Sequence, residues 1–330
     1  MNTLVALDKR AGTDISDVGS YDEVMERAGF NFEVEKVPVH TPEGDEVQGH
    51  FIIRRTDTKL PFACMRKRYS SIPMGEMLQP FHTMVKEYGC EYENAGLIGG
   101  GRKCWISAKF PEGWSLKNRP DDKMDNRIMA LIGNDGSCLN AFFSVANRVF
   151  CNNQIRWIEG QAKASNYGVR HTKNWKTRLE EVKFAFFLAL ENLKHFQKVA
   201  NKLDEKKMTS NQCRGFANLL FPDRREEKAI KENPTPSSKL LNRRESVVDL
   251  FTDGAGNRGL SRWDALNAVT EFLQHHNGAR SLEKHGRKAA ERQLASNVFG
   301  GPNDILSRRA ANLLLDEKRF KSEKPILVLN

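Results

Sequence analysis

No apolar run in this chain approaches the ~20 residues that a membrane-spanning helix requires, and the opening MNTLVALDKRAGTD has neither the basic nor the apolar region of an export signal. The sequence therefore predicts a cytoplasmic protein with no membrane partner. Cysteine is scarce: six residues, at 64, 90, 104, 138, 151 and 213, with no close pair. That spacing excludes a zinc knuckle and a disulfide scaffold, and it reads as small apolar residues kept reduced. Chemistry-bearing patterns are equally sparse. His275-His276 and His285 lack metal-ligand spacing, and there is no nucleophile elbow and no paired-His zinc helix. No catalytic residue, cofactor or metal is assigned. Scattered acids (Asp57, Asp121, Asp122, Asp125 and Asp135) leave a metal-dependent nuclease as a third reading, although surface turns explain each of them.

One stretch resembles a phosphate-binding loop and fails as one. In AGLIGGGRKCW, Gly96 and Gly101 have the right separation, but Arg102 stands where the loop lysine belongs and Cys104 where a Ser or Thr would hold the metal. The residues that follow alternate. Cys104, Ile106, Ala108 and Phe110 share one face, and Lys103, Trp105, Ser107 and Lys109 share the other. This period of two predicts a strand half-buried on one side, with Gly99-Gly100-Gly101 as a hairpin tip.

The remaining patterning predicts an α+β fold: a strand-rich N-terminal half with hairpins and one or two helices, then a mainly helical C-terminal half. Strands are expected at 32–40 and 47–56, with a third apolar segment at 62–65. Helices are expected at 21–29 and 75–88, and a hairpin around Asn134-Asp135-Gly136. Further on, Leu179, Val182, Phe186, Ala189, Leu193, Phe196, Ala200 and Leu203 follow 3,4 spacing, a seam of about four heptads on one long helix. Its partner is either a helix of the same chain, such as 260–276, or another subunit. Thr209 and Gln212 form a capping-box pattern, and a last helix is expected at 303–316. These elements divide the chain into an α+β core (1–155), a long-helix segment (156–222), a linker-like stretch (223–246) and a C-terminal helical region (247–330).

Charge is distributed unevenly. Residues 1–155 hold 19 Lys and Arg against 21 Asp and Glu, leaving 33 of the 52 cations against 21 of the 42 acids for the rest, a net of +12. Cations also interleave with aromatics: Lys103 and Lys109 flank Trp105, Arg66-Lys67-Arg68 precede Tyr69, Arg156 precedes Trp157, and Arg170-His171 and Lys173 precede Trp175. Single-strand binders use this pairing, because every base has a π-face and every linkage a charge. The candidate nucleic-acid contacts are Arg54, Arg66, Lys67, Tyr69, Lys103, Trp105, Lys109, Arg148, Arg156, Arg170, His171, Lys173 and Trp175. Tyr69, Trp105 and Trp175 serve as stacking faces.

Several motifs together resemble a known family. They are Ile53-Arg54-Arg55-Thr56-Asp57 with Arg68-Tyr69, Ala95-Gly96 through Gly100-Gly101-Arg102, Asn134-Asp135-Gly136-Ser137, Asn147 through Asn153, Arg170-His171-Thr172, and Trp263 through Phe272. In this order, over about 30–315, they resemble the phage/plasmid-like proteins of domain of unknown function 932. The chain departs from that pattern at Asn153-Gln154-Ile155, where the family has Asn-Thr-Leu, and at Ser261-Arg262, where it has Gly-Thr. The resemblance implies a task on mobile DNA inside a bacterial host. The element order of 32–88 is also similar to that of single-strand annealing recombinases. The expectation is a homo-oligomeric protein that binds and anneals single-stranded DNA without hydrolysing a nucleotide. The alternative is a counter-defence protein whose basic face and seam engage a host enzyme.

Overall fold

The computed structural model describes residues 5–148, 151–154, 168–223 and 236–318, with the side chains of 147–148, 151–154 and 180–189 outside the description. A short helix α1 (Leu7–Ala11), a two-residue strand β1 (Thr13–Asp14) and helix α2 (Tyr21–Arg27) open the chain. A smaller antiparallel sheet follows, in the order β2 (Val34–His40), β3 (Glu46–Arg55), β4 (Pro61–Arg66). Helix α3 (Met74–Glu87) leads to the larger sheet of β5 (Glu91–Ile98), β6 (Lys103–Lys109), β7 (Trp114–Leu116), β8 (Arg119–Gly133), β9 (Ala141–Arg148) and β10 (Cys151–Gln154). Its order is β1-β5-β6-β8-β9-β10, with β7 paired to the start of β8 and every pair antiparallel.

Beyond the sheet the chain is helical: α4 (Trp175–Asp204), α5 (Ser210–Leu220), α6 (Ser238–Asp253), α7 (Arg262–Glu271), α8 (Ala279–Val298) and α9 (Pro302–Leu315). The architecture is α+β, strand-rich first and helical second. Local chemistry explains three of the helix starts. Ser20 with Glu23, Thr209 with Gln212, and Ser261 with Asp264 each form a reciprocal capping box that satisfies orphan N–H groups. Pro80 sits inside α3 without ending it.

The linker-like stretch is corrected at its C-terminal side. Ser237 accepts a hydrogen bond from the Leu240 backbone N–H and starts α6, so 238–246 are helix, and Val247, Val248 and Phe251 bury its apolar face. Ser237, at the end of the stretch that reads as a linker, supplies the N-cap, and residues 224–235 of that stretch lie outside the described residues.

The seam of α4 packs within the chain over its described part. Leu193, Phe196, Ala200 and Leu203 are buried, and Phe196 meets Trp114 and Trp263 edge to face. Val182 and Phe186 lie outside the described side chains. Leu179 is half-buried against the same core. A polar clasp fixes this packing. Arg119, in β8, donates to both carboxylate oxygens of Asp264 at 2.8 and 2.7 Å and pairs with Asp204 at 2.5 Å, tying the sheet to α4 and α7.

Two apolar cores result, one on each side of the larger sheet. The main core takes Cys104, Ile106 and Ala108 of β6 and runs on through α3, α4, α5, α6, α7 and α9. The second takes Trp105, Met129, Leu131 and Val145 and is closed by Leu7 and Ala11 of α1 and by Leu282, Ala289, Ala290, Leu294 and Val298 of α8. Helices from opposite ends of the chain thus share the cover of one sheet face.

Candidate nucleic-acid interface

Burial of β6 on both of its faces overturns the expectation of a strand half-buried on one side. Trp105 is 0 % exposed, because α1 and α8 roof the face that alternation left open to solvent. Its indole lies in a slot made by two glycines. A Cβ on Gly12 would stand 2.8 Å from the ring, and one on Gly96, its cross-strand neighbour, 3.0 Å from Nε1. Gly96, the first glycine of the false phosphate loop, therefore makes room for a side chain. Gly99, Gly100 and Gly101 turn the hairpin with φ of 61°, 70° and 110°, which a residue bearing Cβ reaches only with strain. Trp105 presents no face to a base, and Lys109, on the same strand face, pairs with Asp125 at 2.9 Å. Lys103 is half-buried at the strand's start.

Two other proposed stacking rings are also enclosed. Trp175 is 8 % exposed in the main core, with the Lys176 ammonium 5.3 Å from its ring. Tyr69 is 8 % exposed and donates its hydroxyl to the Asn134 carbonyl at 2.8 Å. Arg54 is tied to Glu35 at 2.8 Å. Arg156 and the side chain of Arg148 lie outside the described residues.

What the fold does assemble is a clasp between segments a hundred residues apart. The Ser70 N–H donates to the His171 carbonyl at 3.0 Å, and the rings of Tyr69 and His171 stack at 4.6 Å with 12° between their planes. The imidazole faces two carbonyls: Nδ1 lies 3.0 Å from Ser70 O and Nε2 2.6 Å from Gly133 O. Burial depresses the His171 pKa below the ordinary imidazole value, and the two carbonyls offset this only in part. The ring is a structural pin enclosed in the fold, which corrects its assignment as a phosphate contact. Lys36 reinforces the clasp by donating to the carbonyls of Lys67 and Tyr69 at 2.9 and 3.1 Å.

Around this pin, Arg66, Lys67 and Arg68 arrive on one side and Arg170 and Lys173 on the other, all exposed. None of the five is in an ion pair among the described residues. Acids near the junction include the half-buried Asp135, which accepts from the Ser137 hydroxyl at 2.6 Å, Glu76, which pairs with Lys176 at 3.5 Å, and the exposed Glu33. The sequence names Arg66, Lys67, Arg170 and Lys173 as phosphate contacts and shows Arg68 beside Tyr69, but it groups them only by their neighbours along the chain. The convergence itself depends on the pairing of Ser70 with His171. A cleft of about 620 Å³, lined by Phe30, Phe32, Glu33, Ile72, Met74 and Asn134 among others, opens next to the clasp.

Three of the scattered acids are otherwise engaged, Asp135 by Ser137 as above. Asp57 is held by Arg55 at 2.6 Å and Asp125 by Lys109. Among the described residues no group of three His, Cys, Asp or Glu side chains could hold a metal ion, and no helix is long and apolar enough to cross a membrane.

Residues 61–295 match the family described as domain of unknown function (DUF932), and the chain belongs to that family. No curated protein and no solved structure matches it.

Proposed function

We propose that this member of the DUF932 family is a mobile-element protein that binds single-stranded nucleic acid through its phosphates. It acts in the bacterial cytoplasm, in recombination or replication, as a homo-oligomer that anneals strands without hydrolysing a nucleotide. The convergence of Arg66, Lys67, Arg68, Arg170 and Lys173 around the Tyr69–His171 pin carries this reading. Five cations held by a rigid, buried junction form a preorganised track for a polyanion, and the backbone need not be remodelled to bring them together. The neighbouring cleft offers the apolar surface that the enclosed rings do not.

The test is a salt titration of labelled single strands. If all five cations meet phosphates, the slope of log affinity against log salt is about −3.5 at the single-strand value of about −0.7 per contact. Affinity then falls roughly 100-fold between 50 and 200 mM salt. Replacing Arg66, Lys67 and Arg68 by Ala should flatten the slope by about 2. Binding that ignores salt, or that survives the triple variant, would overturn the assignment.

The burial of Tyr69, Trp105 and Trp175 favours a second reading, in which the same cations meet an acidic host protein in a counter-defence role. Stoichiometric capture of one host protein, free of nucleic acid and lost in the triple variant, would select it.

A further inference from the structure

Helix α8 carries a second set of cations that the clasp does not use. Arg280, Lys284, Lys288 and Arg292 recur at every fourth position, Arg287 stands beside them, and all five are exposed. The opposite face of the helix is spent on the second core, where Leu282, Ala289, Ala290 and Leu294 cover Trp105. The acids of α8 do not neutralise the outer surface. Glu291 is half-buried, turns towards the Gly99 turn and reaches Arg287 only at 3.7 Å, which leaves Glu283 as the exposed acid. Gly286, at φ 48° and ψ −126°, breaks the helix, so the exposed cations fall into two neighbouring groups, Arg280 with Lys284 before the break and Arg287 with Lys288 and Arg292 after it. They lie across the larger sheet from the clasp, whose Tyr69 belongs to the main core.

We propose that the outer face of α8 is a second phosphate-binding surface. It takes a second nucleic-acid strand while the clasp holds the first, so that a single chain carries two strands on opposite sides of its sheet. The inference rests on the proposed function and deepens it, because annealing requires two strands to be brought together. Five exposed cations against one exposed acid, Glu283, suit a uniform polyanion better than a protein surface, where charges of both signs alternate.

Stoichiometric titration of the full chain with short, non-complementary labelled single strands tests it. The wild type should bind two strands per chain. The variant K284E/K288E/R292E should bind one, with an unchanged unfolding midpoint because these side chains are exposed. The variant R66E/K67E should also bind one, and combining the two sets should abolish binding. One strand per chain in the wild type, unaffected by the α8 changes and lost with the clasp changes, overturns the inference and leaves the proposed function standing. No strand bound by the wild type overturns both.

Discussion

Replacing Trp105 by Ala separates a stacking residue from a core residue. A ring exposed for stacking would lose binding and keep its stability. The structure reverses both expectations, since the indole is fully enclosed between α1, α8 and the sheet. A tryptophan buries on the order of 200 Å², which at ~25 cal/mol per Å² corresponds to about 5 kcal/mol of transfer free energy. Large-to-small changes of this kind cost about 3–5 kcal/mol in practice, because the cavity collapses only in part. The slot lined by Gly12 and Gly96 has no side chain that could fill it, which places this site at the upper end. At an m-value of about 3 kcal/mol per M the urea midpoint falls by more than ~1 M. Trp105→Phe should cost less than half as much, since it keeps most of the apolar volume and removes a buried indole N–H that has no hydrogen-bond partner. Urea unfolding followed by far-ultraviolet circular dichroism, with strand binding measured in parallel, decides the matter. A Trp105→Ala protein with an unchanged midpoint and weakened binding would refute the argument.

Two further outcomes follow from buried charge and titration. Arg119→Ala leaves the enclosed carboxylates of Asp204 and Asp264 without their cation and should cost about 3–5 kcal/mol, whereas Lys109→Ala, at an exposed pair, should stay within about 1 kcal/mol; denaturation midpoints of the two variants compare them. Burial holds the His171 pKa below its unfolded value, so the unfolded chain takes up the proton first. The stabilising effect is then full above the ordinary value of about 6.5 and declines as pH falls through it, by up to about 1.4 kcal/mol per pH unit. Midpoints measured from pH 7.5 to 5.5 should fall, and the slope should be shallower in His171→Asn. Equal slopes in the two proteins would remove His171 from the explanation.

Features written in short stretches were legible in the sequence. The hairpin at Gly99–Gly101, the turn at Asn134–Gly136, the Thr209 capping box and the extent of α4 each depend on residues a few positions apart. The clasp and the second core were not legible, because each joins segments far apart in the chain. Period-two alternation in β6 describes one strand and is the same whether its polar-looking face meets water or a helix. The adjacent small residues Ala289-Ala290 and the pairing of Gly96 with Trp105 are the signals that register with hindsight, since both allow close approach to a bulky ring. The cations of α8 were visible only as part of a net positive half. Their grouping emerged once the other face of the helix was seen to be occupied.

The joint roof of α1 and α8 also fixes an order of events during synthesis. Met129, Leu131 and Val145 are made long before Leu282 to Val298, so a ribosome releases the wall of the second core well ahead of its lid. Until α8 emerges, that wall is a greasy surface open to chaperones or to neighbouring nascent chains. A stop codon anywhere before α8 would make that exposure permanent.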